Sequence, residues 1–107
     1  MKNFYTETFS AKAGNLYTNP STGFSSYFLS FGTGARIEIM HKPGHNFSPS
    51  ENHFAIAAGS RKNVDKITAR LLKQGEATMV SWPRKTGDGY YETIFKDPEG
   101  NLFEITI

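Results

Sequence analysis

Residues 89–107 read GYYETIFKDPEGNLFEITI, and residues 25–40 read SSYFLSFGTGARIEIM. Each is a strand, a Gly-containing turn, and a second short strand that sets a carboxylate between apolar residues. Aligned on that carboxylate, Ile37-Glu38-Ile39 falls on Phe103-Glu104-Ile105, and the turn of the second copy reads two residues longer. A charge is rarely spent inside an apolar strand without a partner or a metal. A β-unit that does so twice predicts a pocket built from both halves.

Working outward, Arg61 to Gln74 carries Val64, Ile67, Leu71 and Leu72 on one stripe at helical spacing. Ser60 is placed to cap its start and Gly75 to end it in the left-handed conformation. His53–Ala58, Thr78–Arg84, Tyr90–Lys96 and Leu102–Ile107 read as strands. Asp88-Gly89 marks a hairpin and Asp97-Pro98-Glu99-Gly100-Asn101 a turn. Residues 2–10 read as the end of another helix, followed by strands at Leu16–Asn19, Ser26–Phe31 and Ala35–Met40. The Pro-, Gly-, Ser- and Asn-rich stretch 42–52 is a linker. The second half is thus β-α-β-β-β and the first α-β-β-β. Counting back from Glu38 by the spacing of the second half places the first half's opening strand before Met1, so the first unit is expected to lack it.

A chain of 107 residues suffices for one compact domain. Hydrophobic residues at 37% and charged residues at 21% give a globular balance. The net charge is +2 and the Lys and Arg positions are scattered, which excludes a basic stripe for nucleic acid. No apolar run approaches the roughly 20 residues of a membrane span, and the N-terminus has no secretory apolar region. A cytoplasmic protein is the default expectation. With no cysteine, disulfides and thiolate chemistry are excluded.

Strand side chains alternate faces. Ile37 and Ile39 therefore oppose Arg36, Glu38 and Met40; Phe54 and Ile56 oppose His53, Ala55 and Ala57; Phe103, Ile105 and Ile107 oppose Leu102, Glu104 and Thr106. The apolar faces pack under helices. The other faces hold one imidazole and two carboxylates, donors suited to Zn, Ni, Mn or Fe(II). Arg36, Arg84 and Lys85 offer cations for a substrate carboxylate. Trp82, Tyr90, Tyr91 and Phe95 read as core or inter-unit packing, and Phe47 as a cover or an anchor in the linker. His41 and His45 are four apart, but Pro43-Gly44 between them denies the pair a helix.

His53-Phe54-Ala55-Ile56, Gly87-Asp88-Gly89-Tyr90-Tyr91-Glu92 and Asp97–Ile105 together resemble the second βαβββ module of the vicinal oxygen chelate superfamily. That superfamily includes glyoxalase I, extradiol dioxygenases, and fosfomycin and bleomycin resistance proteins. Phe4-Tyr5, Tyr27–Phe31 and Arg36–Met40 resemble its first module. The resemblance implies an α+β fold of paired βαβββ modules in a single domain over 1–107, divided into a partial first module 1–41, a linker 42–52 and a complete second module 53–107. In glyoxalase-like members four side chains, one from each of four strands, meet a divalent metal. Three positions match here: Glu38, His53 and Glu104. The fourth, often His, belongs to the opening strand that this chain lacks.

The function implied is a glyoxalase-like, metal-dependent lyase or isomerase acting on a small vicinal-oxygen substrate of the 2-oxoaldehyde type through an enediolate. Glu38 or Glu104 would be the catalytic proton shuttle, and Arg36, Tyr91 and Arg84 substrate-binding residues. The rivals are a drug-binding protein of the bleomycin-resistance type without chemistry, and an incomplete, inactive chain. An uncovered strand edge predicts a homodimer or higher homo-oligomer. With modules exchanged, Glu38 of one protomer would face His53 and Glu104 of its partner.

Overall fold

The computed structural model describes residues 1–107. The chain forms two compact units, 1–47 and 48–107.

In the second unit, β5 (His53–Ala57) leads into α2 (Arg61–Gln74), then β6 (Thr78–Lys85), β7 (Tyr91–Lys96) and β8 (Leu102–Thr106). The sheet order is β5-β8-β7-β6, with β5 parallel to β8 and the remaining pairs antiparallel. Helix α2 begins where Ser60 accepts a hydrogen bond from the Asn63 amide, and stops at Gly75, whose φ of 71° is the left-handed conformation a Cβ would strain. It lies against one face of the sheet through Val64, Thr68 and Leu71. Full burial of Val64 and Leu71 contributes about 1.5–3 kcal/mol each. Thr68 is tolerated there because its hydroxyl donates to the Val64 carbonyl at 2.7 Å. Leu72, expected in the stripe, is 43% exposed, because it sits a further 100° around the helix from Leu71. Under the helix, Phe54, Phe95 and Phe103 stack at centroid separations near 6 Å (6.2 and 6.0 Å).

The first unit contains α1 (Lys2–Phe9), β1 (Lys12–Ala13), β2 (Tyr17–Thr18), β3 (Ser25–Ser30) and β4 (Arg36–His41). Phe4, Tyr5 and Thr8 of α1 are buried, and Tyr5 packs against Phe9 and Phe31. Strand β4 pairs along all of β3, while β1 and β2 share the other edge of β3. The expected strand 16–19 is thus only Tyr17–Thr18, with a second pairing at Lys12–Ala13. The register moves by one residue between the two (12 + 30 against 17 + 26), so residues 14–16 break one strand into two and erase its alternation. No strand of this unit pairs with the outer edge of β4; the parallel partner that β5 gives β8 has no counterpart.

The two hairpins are closer copies than their sequences indicate. Phe28 pairs with Glu38 and Ile94 with Glu104, each ten residues apart, and five residues separate the strands in both. The extra two residues read into the second turn are absent. With that correction the left-handed cap of the first helix is expected at 38 − (104 − 75) = 9, one residue before Ser10, which takes that conformation at the end of α1.

Candidate functional site

The helix-free face of the second sheet carries the chemistry. Glu104 lies across from Ala55 on β5 and Ile94 on β7, a small residue on one side and an apolar one on the other. His53, two residues before Ala55, sends Nε2 to within 3.0 Å of Glu104 Oε1. The imidazole is 46% exposed and the carboxylate 17%, so the pair stands at a surface open to ligand yet partly shielded from water. Nδ1 of His53 lies 3.2 Å from the Glu51 carbonyl. A carbonyl only accepts, so Nδ1–H donates to it, and Nε2 is left facing the Glu104 carboxylate, where a proton or a shared cation joins the two. A backbone carbonyl that holds one ring nitrogen is the usual way a ligating histidine is oriented.

This spacing fits a metal. Two donors about 2.1 Å from one divalent ion stand about 3.0 Å apart at right angles and about 3.4 Å apart at tetrahedral angles. The observed 3.0 Å is the distance of a hydrogen-bonded ion pair and also lies within the reach of two donors that share one ion. No group of three or more His, Asp or Glu side chains is gathered to hold an ion.

A second row lies beside the pair. Across the ladders Ala57 pairs with Thr106, Thr106 with Glu92, and Glu92 with Arg84. Burial and the nearby charge of Glu104 push the Glu92 carboxyl above its ordinary pKa; Arg84 pulls it down, Asp88 raises it and His53 lowers it, each more weakly. Arg84 Nη1 donates to the Ser81 hydroxyl at 2.6 Å. Arg84 therefore stands at the margin of the face that holds Glu104. The place of Glu92 on this face is legible in the sequence: a five-residue turn after Lys96 puts every second residue of β7 on the Glu104 face.

Tyr91 is on the other side. Its hydroxyl donates to Asp65 at 2.6 Å, and the Arg61 guanidinium lies 5.0 Å from its ring centre. The Asp65 carboxylate accepts that bond and holds the proton on Tyr91, raising its pKa. Tyr91 lines an open groove of about 350 Å³ with Leu72, Trp82 and Pro83 between α2 and β6, away from His53 and Glu104. The alternation of β7 separates it from Glu92, and as a substrate-binding candidate it is displaced to the helix face. Phe95 is fully buried, whereas Trp82 is 67% exposed.

Arg36 and Glu38 belong to the first unit, on the face of β4 opposite Ile37 and Ile39. Glu38 is exposed across from Phe28, and the Arg36 guanidinium lies 4.5 Å above the Phe28 ring. His41 and His45 are exposed, with the latter's amide in a turn to Lys42, and Phe47 is exposed as well.

The sequence model of the Glyoxalase/Bleomycin resistance protein/Dioxygenase superfamily matches residues 1–105. The chain belongs to that superfamily. Solved structures share the superfamily fold. The glyoxylase/bleomycin resistance protein/dioxygenase domain from Frankia sp. EAN1pec matches at a TM-score of 0.80 and 20% identity, over 99% of this chain and 84% of that one. The trypanothione-dependent glyoxalase I of Leishmania major matches at 0.75 and 20% identity, over 96% and 73%. The fosfomycin resistance protein FosX of Listeria monocytogenes, solved with Mn(II) and sulfate, matches at 0.71 and 22% identity, over 98% and 78%. No curated protein matches. No helix is long and apolar enough to cross a membrane.

Proposed function

We propose that this superfamily member is a glyoxalase-like, divalent-metal-dependent lyase or isomerase of small vicinal-oxygen substrates. The observation that carries the reading is the 3.0 Å approach of His53 Nε2 to Glu104 Oε1, with Nδ1 tied to the Glu51 carbonyl. His53 and Glu104 would hold the ion, with Glu38 of a partner protomer as the third ligand. When bound, such an ion polarises adjacent substrate oxygens and acidifies the C–H beside them.

The chain's own groups then do the following. His53, its ring fixed by the Glu51 carbonyl, orients the site. Glu104, partly shielded and next to small Ala55, accepts the proton from the hydroxyl-bearing carbon at a carboxylate oxygen and returns it to the neighbouring carbonyl carbon. The bonding pair left by the first proton forms a carbon–carbon double bond while the carbonyl pair moves onto its oxygen. Return of the proton to the second carbon, with passage of the hydroxyl proton from the first oxygen to the second, leaves a carbonyl at the first carbon and a hydroxyl at the second, so no external oxidant is needed. Glu38 is the alternative shuttle.

The test loads purified protein with Ni, Mn, Zn or Fe(II) in turn, measures bound metal, and follows the hemithioacetal of methylglyoxal by its thioester absorbance. We expect one equivalent of metal per site and metal-dependent turnover, with Glu104→Ala weakening metal most, since loss of one donor of three leaves too few for a tight site. No stoichiometric metal after reloading sinks the reading in favour of a binding protein without chemistry. We propose further that the protein is a homodimer or higher homo-oligomer, supported by the open outer edge of β4. Sedimentation as a folded 12.0 kDa monomer at micromolar concentration overturns this.

A further inference from the structure

Two polar side chains on the Glu104 face, Thr106 and Glu92, make no side-chain hydrogen bond within the chain. Thr106 Oγ1 is buried and makes no hydrogen bond. Directly across the β7–β8 ladder, the half-buried Glu92 carboxylate accepts none from the chain. The Thr106 hydroxyl is sealed from solvent, whereas the Glu92 carboxylate is reached by water that a bound molecule would have to replace. Arg84, the nearest cation in the ladder, is turned to Ser81. On the other flank Ala57 and Ala55 leave open space, since both are exposed.

From this arrangement we propose that Glu92 is a specificity-determining residue that accepts a hydrogen bond from a hydroxyl or ammonium group on the substrate. The preferred class is then a vicinal-oxygen compound with a donor-bearing tail rather than an alkyl or carboxylate tail. The inference rests on the reading of the His53–Glu104 face as the substrate site. Glu92 and Glu104 are diagonal neighbours across two strands, about 7–8 Å apart at the backbone, so a spacer of two carbons beyond the vicinal oxygens reaches from one to the other. An alkyl tail would cover Glu92 and strip its water without replacing it. A carboxylate tail would bring a further negative charge against Glu92 and Glu104, which already share this face. Sites that hydrogen-bond a substrate group discriminate strongly against analogues lacking it.

Hydroxamates present two adjacent oxygens and supply probes. Butanohydroxamate, 3-hydroxypropanohydroxamate, β-alanine hydroxamate and succinic monohydroxamate share the spacer and differ at its end: methyl, hydroxyl, ammonium and carboxylate. Each is titrated calorimetrically into manganese-supplemented wild-type protein and into folded Glu92→Gln and Glu92→Leu variants. Wild type is expected to bind the hydroxyl and ammonium probes about tenfold or more tightly than the methyl probe, and the carboxylate probe weakest. Glu92→Gln should keep the hydroxyl preference and lose the ammonium one; Glu92→Leu should favour methyl. Equal binding of the methyl, hydroxyl and ammonium probes by wild type, or an unchanged order in Glu92→Leu, overturns the role of Glu92 alone. Failure of all four probes to bind wild type overturns the substrate-site reading and this inference with it.

Discussion

Replacing Asp97 by alanine should unlatch the turn that aims Glu104. Asp97 is 5% exposed, and its Oδ1 accepts from the Glu99 amide at 2.9 Å and the Asn101 amide at 3.0 Å. The Asn101 side-chain amide bridges both oxygens, at 3.1 Å to Oδ1 and 2.9 Å to Oδ2. Hydrogen bonds to a charged acceptor contribute about 1.5–3 kcal/mol each when both groups are well shielded. Glu99 is exposed and Asn101 half-buried, so water recovers part of what is lost. The expected loss for Asp97→Ala is about 2–4 kcal/mol, a large share of the roughly 5–15 kcal/mol that holds a domain folded. Asp97→Asn keeps an Oδ1 acceptor for both backbone amides but takes the charge off it and sets an amide donor against that of Asn101, so it should lose about 1–2 kcal/mol, less than alanine. Urea unfolding reads both, as a lowered midpoint at unchanged slope. An alanine variant within 0.5 kcal/mol of wild type, or an asparagine variant as unstable as alanine, would refute this account of the turn.

Leu71→Ala empties a fully buried site between α2 and the sheet and should lose about 3–5 kcal/mol, whereas Leu72→Ala, 43% exposed, should lose well under half of that; urea unfolding separates them. Tyr91 should ionise above the ordinary tyrosine value because Asp65 holds its proton, and Asp65→Asn should bring the midpoint down in an ultraviolet alkaline titration. Because the folded value is raised, this pairing stabilises the protein below the unfolded tyrosine value of about 10 and is lost as pH rises through the folded one. A midpoint unmoved by Asp65→Asn removes the hydrogen bond as the cause.

The second unit was largely legible because its signals are local and agree with one another. Ser60, the stripe from Val64 to Leu71, and Gly75 bound α2 at the residues expected, and Asp97–Asn101 forms the turn. The same alternation that puts Glu104 on His53's face also puts Glu92 there and Tyr91 on the other. The first unit was less legible. Residues 12–18 run along β3 in two pieces with a register shift, and no periodicity survives a bulge. The turn after β3 is two residues longer than its sequence indicates because apolar Phe31 and Ala35 lie outside the ladder, around Gly32 and Gly34 at positive φ.

The equality of the two hairpins isolates what makes one carboxylate a site. Glu38 and Glu104 occupy the same position in hairpins of the same register, between apolar neighbours of the same type. Yet Glu38 is exposed, while the Glu104 side chain is 17% exposed. The hairpin cannot be the cause, since it is common to both. What differs is the parallel strand: β5 lies along β8, setting Ala55 beside Glu104 and His53 on its diagonal, and no strand of the first unit does this for β4. Across the hairpin the contrast continues. Ile94 is half-buried beside Glu104, but Phe28, beside Glu38, is 40% exposed and covered by its own Arg36. A charge inside an apolar strand therefore becomes shielded and paired only when a neighbouring strand supplies the small residue that admits it and the imidazole that meets it. That dependence is why residues 53–57 carry as much of the proposed site as the strand that holds Glu104.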